Sequence, residues 1–129
     1  VVAQVRALAD RFKVPTIACY GITYKPDVDD VRESPALEIM ELLQQRGSEV
    51  SYYDPFVPEI PSTREHPALA GMVSVDWKDD LGADYDALLL VTDHDDVDYH
   101  ALLKHAPLVV DTRNAFRKAG AVGDNLVLA

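Results

Sequence analysis

The chain has 129 residues, 48% hydrophobic and 26% charged, proportions that fit one ordinary globular domain and exclude disorder or a fibrous repeat. Twelve Lys and Arg against twenty-two Asp and Glu give a formal net charge of −10, which argues against nucleic acid or an anionic membrane as a partner. Any anionic ligand must then be held by a few locally placed cations. The single cysteine, Cys19, excludes an internal disulfide and suits a reducing cytoplasm. The longest apolar run, Ala87 to Val91, is too short to cross a bilayer, and the opening residues lack a signal-peptide pattern.

In chain order, Val1, Val5, Leu8 and Phe12 recur at helical spacing, so residues 1–13 read as a helix that Pro15 ends. The chain opens inside that pattern, which leads us to expect a piece of something longer. Thr16 to Ile22 is an almost unbroken apolar run, the mark of a strand covered on both faces. A polar stretch, Thr23 to Glu33, follows. Ser34 then supplies an N-cap, Pro35 suits the first helical position, and Ala36, Ile39, Met40 and Leu43 form an apolar stripe ending near Gly47. Val50 to Tyr53 make a second strand, closed by Asp54 and Pro55.

Residues 54–72 hold four of the eight prolines and read as a long surface loop with a short helix near Leu69. Val73 to Val75 are a candidate short third strand. Tyr85 to Thr92 carries the strongest buried-strand signal. Tyr99, Leu102, Leu103 and Ala106 then form a helical stripe with Asp96 or Asp98 as its cap. Leu108 to Thr112 is a further strand and Leu126 to Leu128 another candidate. Strands alternating with amphipathic helices give an α/β domain, a Rossmann-like, doubly wound, mainly parallel sheet of five to six strands in three αβα layers.

Ligands of such sheets bind beyond the carboxyl ends of the strands, near the point where strand order reverses. Those ends carry Thr23, Tyr24, Lys25, Asp27, Asp29, Asp30 and Arg32, then Asp54, then Thr92 to Asp96, then Arg113 and Asn114. Lys25, Arg32 and Arg113 thus fall on one edge, together with the N-terminus of the helix at Pro35, an arrangement suited to a phosphate-bearing ligand. Surface ion pairing with the adjacent acids, worth about 0–1 kcal/mol per pair, is the plain alternative. The six glycines never cluster as GxGxxG, so the sheet is not by itself a dinucleotide-binding domain of the fingerprint kind.

Gly21-Ile22-Thr23-Tyr24-Lys25-Pro26, Asp29-Asp30-Val31-Arg32-Glu33-Ser34-Pro35-Ala36, Tyr53-Asp54-Pro55 and Val110-Asp111-Thr112-Arg113-Asn114 resemble, in order and interval, the C-terminal UDP-binding domain of the UDP-glucose/GDP-mannose dehydrogenase family. Thr63-Arg64-Glu65-His66, Ser74-Val75 and the Asp111-Thr112-Arg113-Asn114 ending are most similar to its bacterial UDP-N-acetylglucosamine 6-dehydrogenase branch. The resemblance implies that residues 1–13 end a connecting helix region and that 14–129 form a UDP-sugar-binding Rossmann-like domain. It implies a cytoplasmic homodimer that oxidises the C6 alcohol of a UDP-hexose to a carboxylate in two NAD-dependent steps. The NAD-binding domain, the central dimer helix and the catalytic cysteine would lie outside this chain, leaving the fragment inactive alone. By position, Tyr24, Lys25 and Arg113 would contact the UDP-sugar, and Arg32 would reach the NAD pyrophosphate.

Other readings of the same residues are plainer. Cys19, inside a buried strand, reads as an inert core thiol. Asp93, His94, Asp95, Asp96 and His100 could be drawn as a metal site, but acids before a helix are normally caps, and no metal is assigned. Trp77 and Tyr85 read as packing residues. A response-regulator-like domain would need phosphate acceptance or Mg²⁺ at Asp27, Asp29 or Asp54. A docking and dimer-forming module without a ligand of its own is the alternative from another functional class.

Overall fold

The computed structural model describes residues 16–23, 31, 34–78, 80–94 and 97–128. Five parallel strands form one sheet: β1 (Thr16–Tyr20), β2 (Glu49–Tyr53), β3 (Ala87–Leu90), β4 (Val109–Asp111) and β5 (Leu126–Leu128), in the order β2-β1-β3-β4-β5. Cys19 stands level with Tyr52 on one side and Leu89 on the other. The helices are α1 (Pro35–Gln45), α2 (Tyr99–His105) and α3 (Ala115–Lys118), with 3₁₀ turns at Pro67–Leu69 and Leu81–Asp84.

The apolar runs become central strands because both faces of the sheet are covered. Along β1, Ile17 and Cys19 join a core under α1 that includes Ala36, Leu37, Met40, Leu43 and Tyr52. Ala18 and Tyr20 point the other way, into a core with Leu88, Leu90, Leu102, Leu103 and Phe116. Alternation is real in three dimensions but invisible in the letters, since both sets of positions are apolar.

The helix boundaries follow the expected chemistry. Ser34 accepts the Ala36 N–H at 3.2 Å and Pro35 occupies the first turn. At the other end Gly47, with φ of +91°, lets Ser48 N–H reach back to Leu43 O at 3.1 Å, closing α1. Asp98 caps α2 by accepting Ala101 N–H at 3.0 Å.

Three features depart from the sequence reading. Val73 is 62% exposed and forms only an isolated antiparallel bridge to Glu59; residues 73–75 add no strand, so five strands, not six, are present among the described residues. Val75 N–H does donate to Tyr52 O of edge strand β2 at 2.9 Å, but the contact is not continued into a ladder, because Val73 and Ser74 bond instead to Glu59 and Pro58. The proline-rich segment is more than a surface loop: Val57, Ile60 and Leu69 are buried against the α1 side of the core, pinned by Tyr52 Oη–H donating to Val57 O at 2.8 Å. Their irregular spacing gave no periodic signal. The short α3 is also unannounced in the sequence. The expected helix over 1–13 lies outside the described residues. Among those described, no helix is long and apolar enough to cross a membrane.

Burial pushes the Cys19 thiol up from 9.0 to about 12 and the Tyr52 phenol from 10.0 to about 12; burial also raises Tyr20. Folded protein therefore keeps protons that the unfolded chain releases from about pH 9–10, so stability falls as pH climbs from there towards about 12. The urea midpoint is expected to drop steadily above about pH 9, and Cys19 should resist a thiol reagent until denaturant is added. A flat midpoint up to pH 11 would contradict both burials.

Candidate functional site

Strand order reverses between β1 and β3, because β2 lies on one side of β1 and all later strands on the other. The carboxyl ends of β1 and β3 there approach unusually closely. Gly21 has φ of +76° and a Cβ at that position would overlap the Thr92 carbonyl. Thr92 Oγ1–H in turn donates to Thr23 O at 2.5 Å. Only a residue without a side chain fits the junction. The backbone just after β3 thus fills the space over Gly21, and among the described residues this junction leaves no room for a pyrophosphate against that glycine.

Asp54, after β2, and His94, after β3, meet across the end of β1. His94 Nε2 lies 2.8 Å from Asp54 Oδ2, and both side chains have no solvent exposure. The same Oδ2 accepts Ile22 N–H at 2.8 Å, while Oδ1 accepts Phe56 N–H at 2.8 Å. Thr23 Oγ1 is 3.4 Å from His94 Nε2. Tyr99 Oη–H donates to His94 O at 2.6 Å, and the Phe56 ring covers the imidazole with centroids 4.8 Å apart. With Oδ2 receiving the Ile22 amide and facing Nε2, the imidazole must carry its proton on Nε2 to donate.

Arg113 reaches the same edge from β4. Asp111, buried, accepts Arg113 N–H through Oδ1 at 2.8 Å and Phe116 N–H through Oδ2 at 3.0 Å. This carboxylate closes the turn after β4 and caps the start of α3. Asn114, with φ of +59°, supplies the left-handed step that its side chain tolerates. The Arg113 side chain is exposed, and its Nε–H donates to Val91 O at 2.9 Å. Val91 N–H is bound to Tyr20 O at 3.1 Å, so the guanidinium lies over the end of β3 beside β1. Its terminal nitrogens have no partner among the described residues and can meet an anion in bidentate fashion.

Of the residues singled out from sequence, Arg113 thus stands at the switch point, as does Thr23, which directly precedes Tyr24 and Lys25. Tyr24, Lys25 and Arg32 themselves lie outside the described residues, as do Asp27, Asp29, Asp30, Asp95 and Asp96. Asp54 is fully engaged by two amides and an imidazole, a poor position for accepting phosphate or binding Mg²⁺. Among the described residues no three His, Cys, Asp or Glu side chains gather as metal ligands. Trp77 packs against Tyr53 with centroids 5.3 Å apart, and both it and Tyr85 lie against the α2-side core. A groove of about 420 Å³ between α2 and the chain before β5, lined by His100, Lys104 and Asn125 among others, sits away from the strand ends. A smaller one of about 320 Å³, with Asp93, His94 and Lys118 in its walls, opens beside the switch point. The buried Asp54–His94 pair is not foreseen from the sequence, where His94 enters only within a metal cluster that is not assigned; its signal was an Asp and a His ending the two strands that flank β1.

The geometry is that of a doubly wound nucleotide-binding sheet with a cationic side chain at its switch point. Residues 18–118 match the model of the UDP-glucose/GDP-mannose dehydrogenase family, UDP binding domain, and the chain belongs to that family. It is 38% identical over 109 residues to UDP-glucose 6-dehydrogenase TuaD of Bacillus subtilis, covering 78% of this chain and 22% of that protein. It is 33% identical over 103 residues to UDP-N-acetyl-D-mannosamine dehydrogenase of Escherichia coli K12, covering 78% and 23%. Its fold superposes on the UDP-N-acetyl-mannosamine dehydrogenase Cap5O of Staphylococcus aureus with a TM-score of 0.70 and 25% identity, over 98% of this chain and 29% of that one. The chain therefore spans less than a third of each of these relatives. The sugars in their names differ, so these comparisons show the family and not the sugar.

Replacing Gly21 by Ala should open the β1–β3 junction. Left-handed strain and the overlap with Thr92 together should cost about 2–5 kcal/mol of stability, read as a lower midpoint in denaturant. An unchanged midpoint would mean that the junction is looser than drawn.

Proposed function

We propose that this chain is the UDP-sugar-binding domain of an NAD-dependent nucleotide-sugar 6-dehydrogenase. The whole protein would oxidise the C6 alcohol of a UDP-hexose to the uronic acid in two steps. It would act as a cytoplasmic homodimer whose NAD-binding domain and catalytic cysteine lie outside this chain. The observation that carries the reading is the guanidinium of Arg113, steered by a main-chain carbonyl to the switch point of a sheet in this family. Arg113 would hold the diphosphate together with Tyr24 and Lys25, which follow Thr23 in sequence, and Arg32 would reach the NAD pyrophosphate. A UDP-N-acetylhexosamine is the substrate class we assign, with UDP-N-acetylglucosamine as the first compound to try; several relatives carry N-acetylhexosamine names.

The test uses the full protein that contains this chain. NADH formation with a panel of UDP-sugars should be highest for a UDP-N-acetylhexosamine, and equal or higher rates with UDP-glucose would replace that assignment. In calorimetric titrations with UDP, Arg113→Ala and Lys25→Ala should each weaken binding by about 10- to 100-fold, the worth of a charge-assisted phosphate contact. Wild-type affinity in both variants would overturn the site.

A further inference from the structure

We propose that the buried Asp54–His94 pair is a positioning pair for the anion site, setting where β3 turns and hence where the guanidinium of Arg113 lies. The inference rests on the nucleotide reading above. β2 and β3 share no ladder hydrogen bonds because β1 lies between them, which puts their backbones roughly 10 Å apart. The carboxylate and the imidazole bridge that gap over the top of β1. Asp54 Oδ2 holds both Ile22 N–H and His94 Nε2 at 2.8 Å, so one oxygen fixes the end of β1 and the turn after β3 relative to each other.

That turn carries the acceptor on which Arg113 rests. Between Val91 and His94, one end is tied to β1 through Val91 N–H and Tyr20 O, the middle through Thr92 Oγ1 and Thr23 O, and the far end through the pair. Val91 O, in this stretch, accepts the Arg113 Nε–H at 2.9 Å. A shift of the turn moves that oxygen, and the terminal nitrogens of the guanidinium move with it. The pair is buried at the strand ends, whereas the two apolar cores lie on the faces of the sheet. Burying a carboxylate against an imidazole is a poor way to gain stability compared with apolar side chains of similar size. Its benefit is geometric: the contact is directional and shut off from water, which holds a binding group in place more sharply than packing does.

The experiment compares His94→Leu, His94→Gln and Asp54→Asn, alone and combined with Arg113→Ala, in the full protein. UDP dissociation constants are measured by calorimetry well below each melting temperature, which is recorded separately. His94→Leu is expected to weaken UDP binding by about tenfold, and Asp54→Asn should act in the same direction if the leucine variant does not fold. His94→Gln, whose side-chain amide can donate to the same carboxylate, should recover most of the affinity. In the Arg113→Ala background the His94 change should have little further effect, because the two residues act through one contact. Lower melting temperatures with wild-type UDP affinity in the folded variants would overturn the positioning role, and so would a full loss on top of Arg113→Ala. If those results come with weakened binding in Arg113→Ala alone, the nucleotide reading stands without the pair. A wild-type protein that does not bind UDP overturns both.

Discussion

The contact between Asp54 and His94 joins the carboxyl ends of two strands that never pair with each other. It also ties in the end of β1 through Ile22 N–H. Ile22 N–H, Phe56 N–H and the imidazole engage both oxygens of the carboxylate, and Tyr99 and Phe56 hold the histidine from two further sides. Such a pair is weak evidence for stability, because desolvation offsets most of the attraction. Breaking it from one side is a different matter, since the remaining polar group stays buried without its partner. The consequence is an edge that tolerates little sliding of β3 against β1, reinforced by the close backbone approach at Gly21.

A protein of net charge −10 repels anions at long range, so an anion site within it depends on how local charges are deployed. Asp111 stands two residues from Arg113, yet its carboxylate is taken up by backbone amides of the turn and of α3. The guanidinium is oriented instead by a neutral carbonyl, Val91 O. It keeps its full positive charge while being held in one direction, a combination that a salt bridge would not give. Among the described residues, Asp54, Asp98 and Asp111 close turns or cap helices, and none of these three pairs with the guanidinium of Arg113.

Most of the architecture was legible because it follows from local rules. The apolar runs at Thr16–Ile22 and Tyr85–Thr92, the Ser34-Pro35 start of α1 and the Asp98 cap of α2 each carry a signal within a few residues. Features that depend on distant partners were not legible. Val73 and Val75 have strand-like side chains, but Val73 bridges Glu59 and Val75 makes a single backbone contact with the edge strand β2. Val57, Ile60 and Leu69 are buried by virtue of where the proline-rich chain happens to cross the core, which no period reveals. The Asp54–His94 contact needs the strand order 2-1-3 before the two residues can be seen as neighbours. That Arg113 follows a strand end could be read from its position in the sequence, whereas its anchoring on Val91 O depends on how the turn after β4 folds back.

That anchoring also bears on which cation can occupy position 113. A guanidinium spreads its donors over three nitrogens in a plane, so one can be committed to the scaffold while two look outward. An ammonium concentrates its charge on one atom at the end of a flexible stem, so it could be tethered to Val91 O or turned outward to meet an anion, but not both. Lysine at this place would preserve the charge and lose the aim.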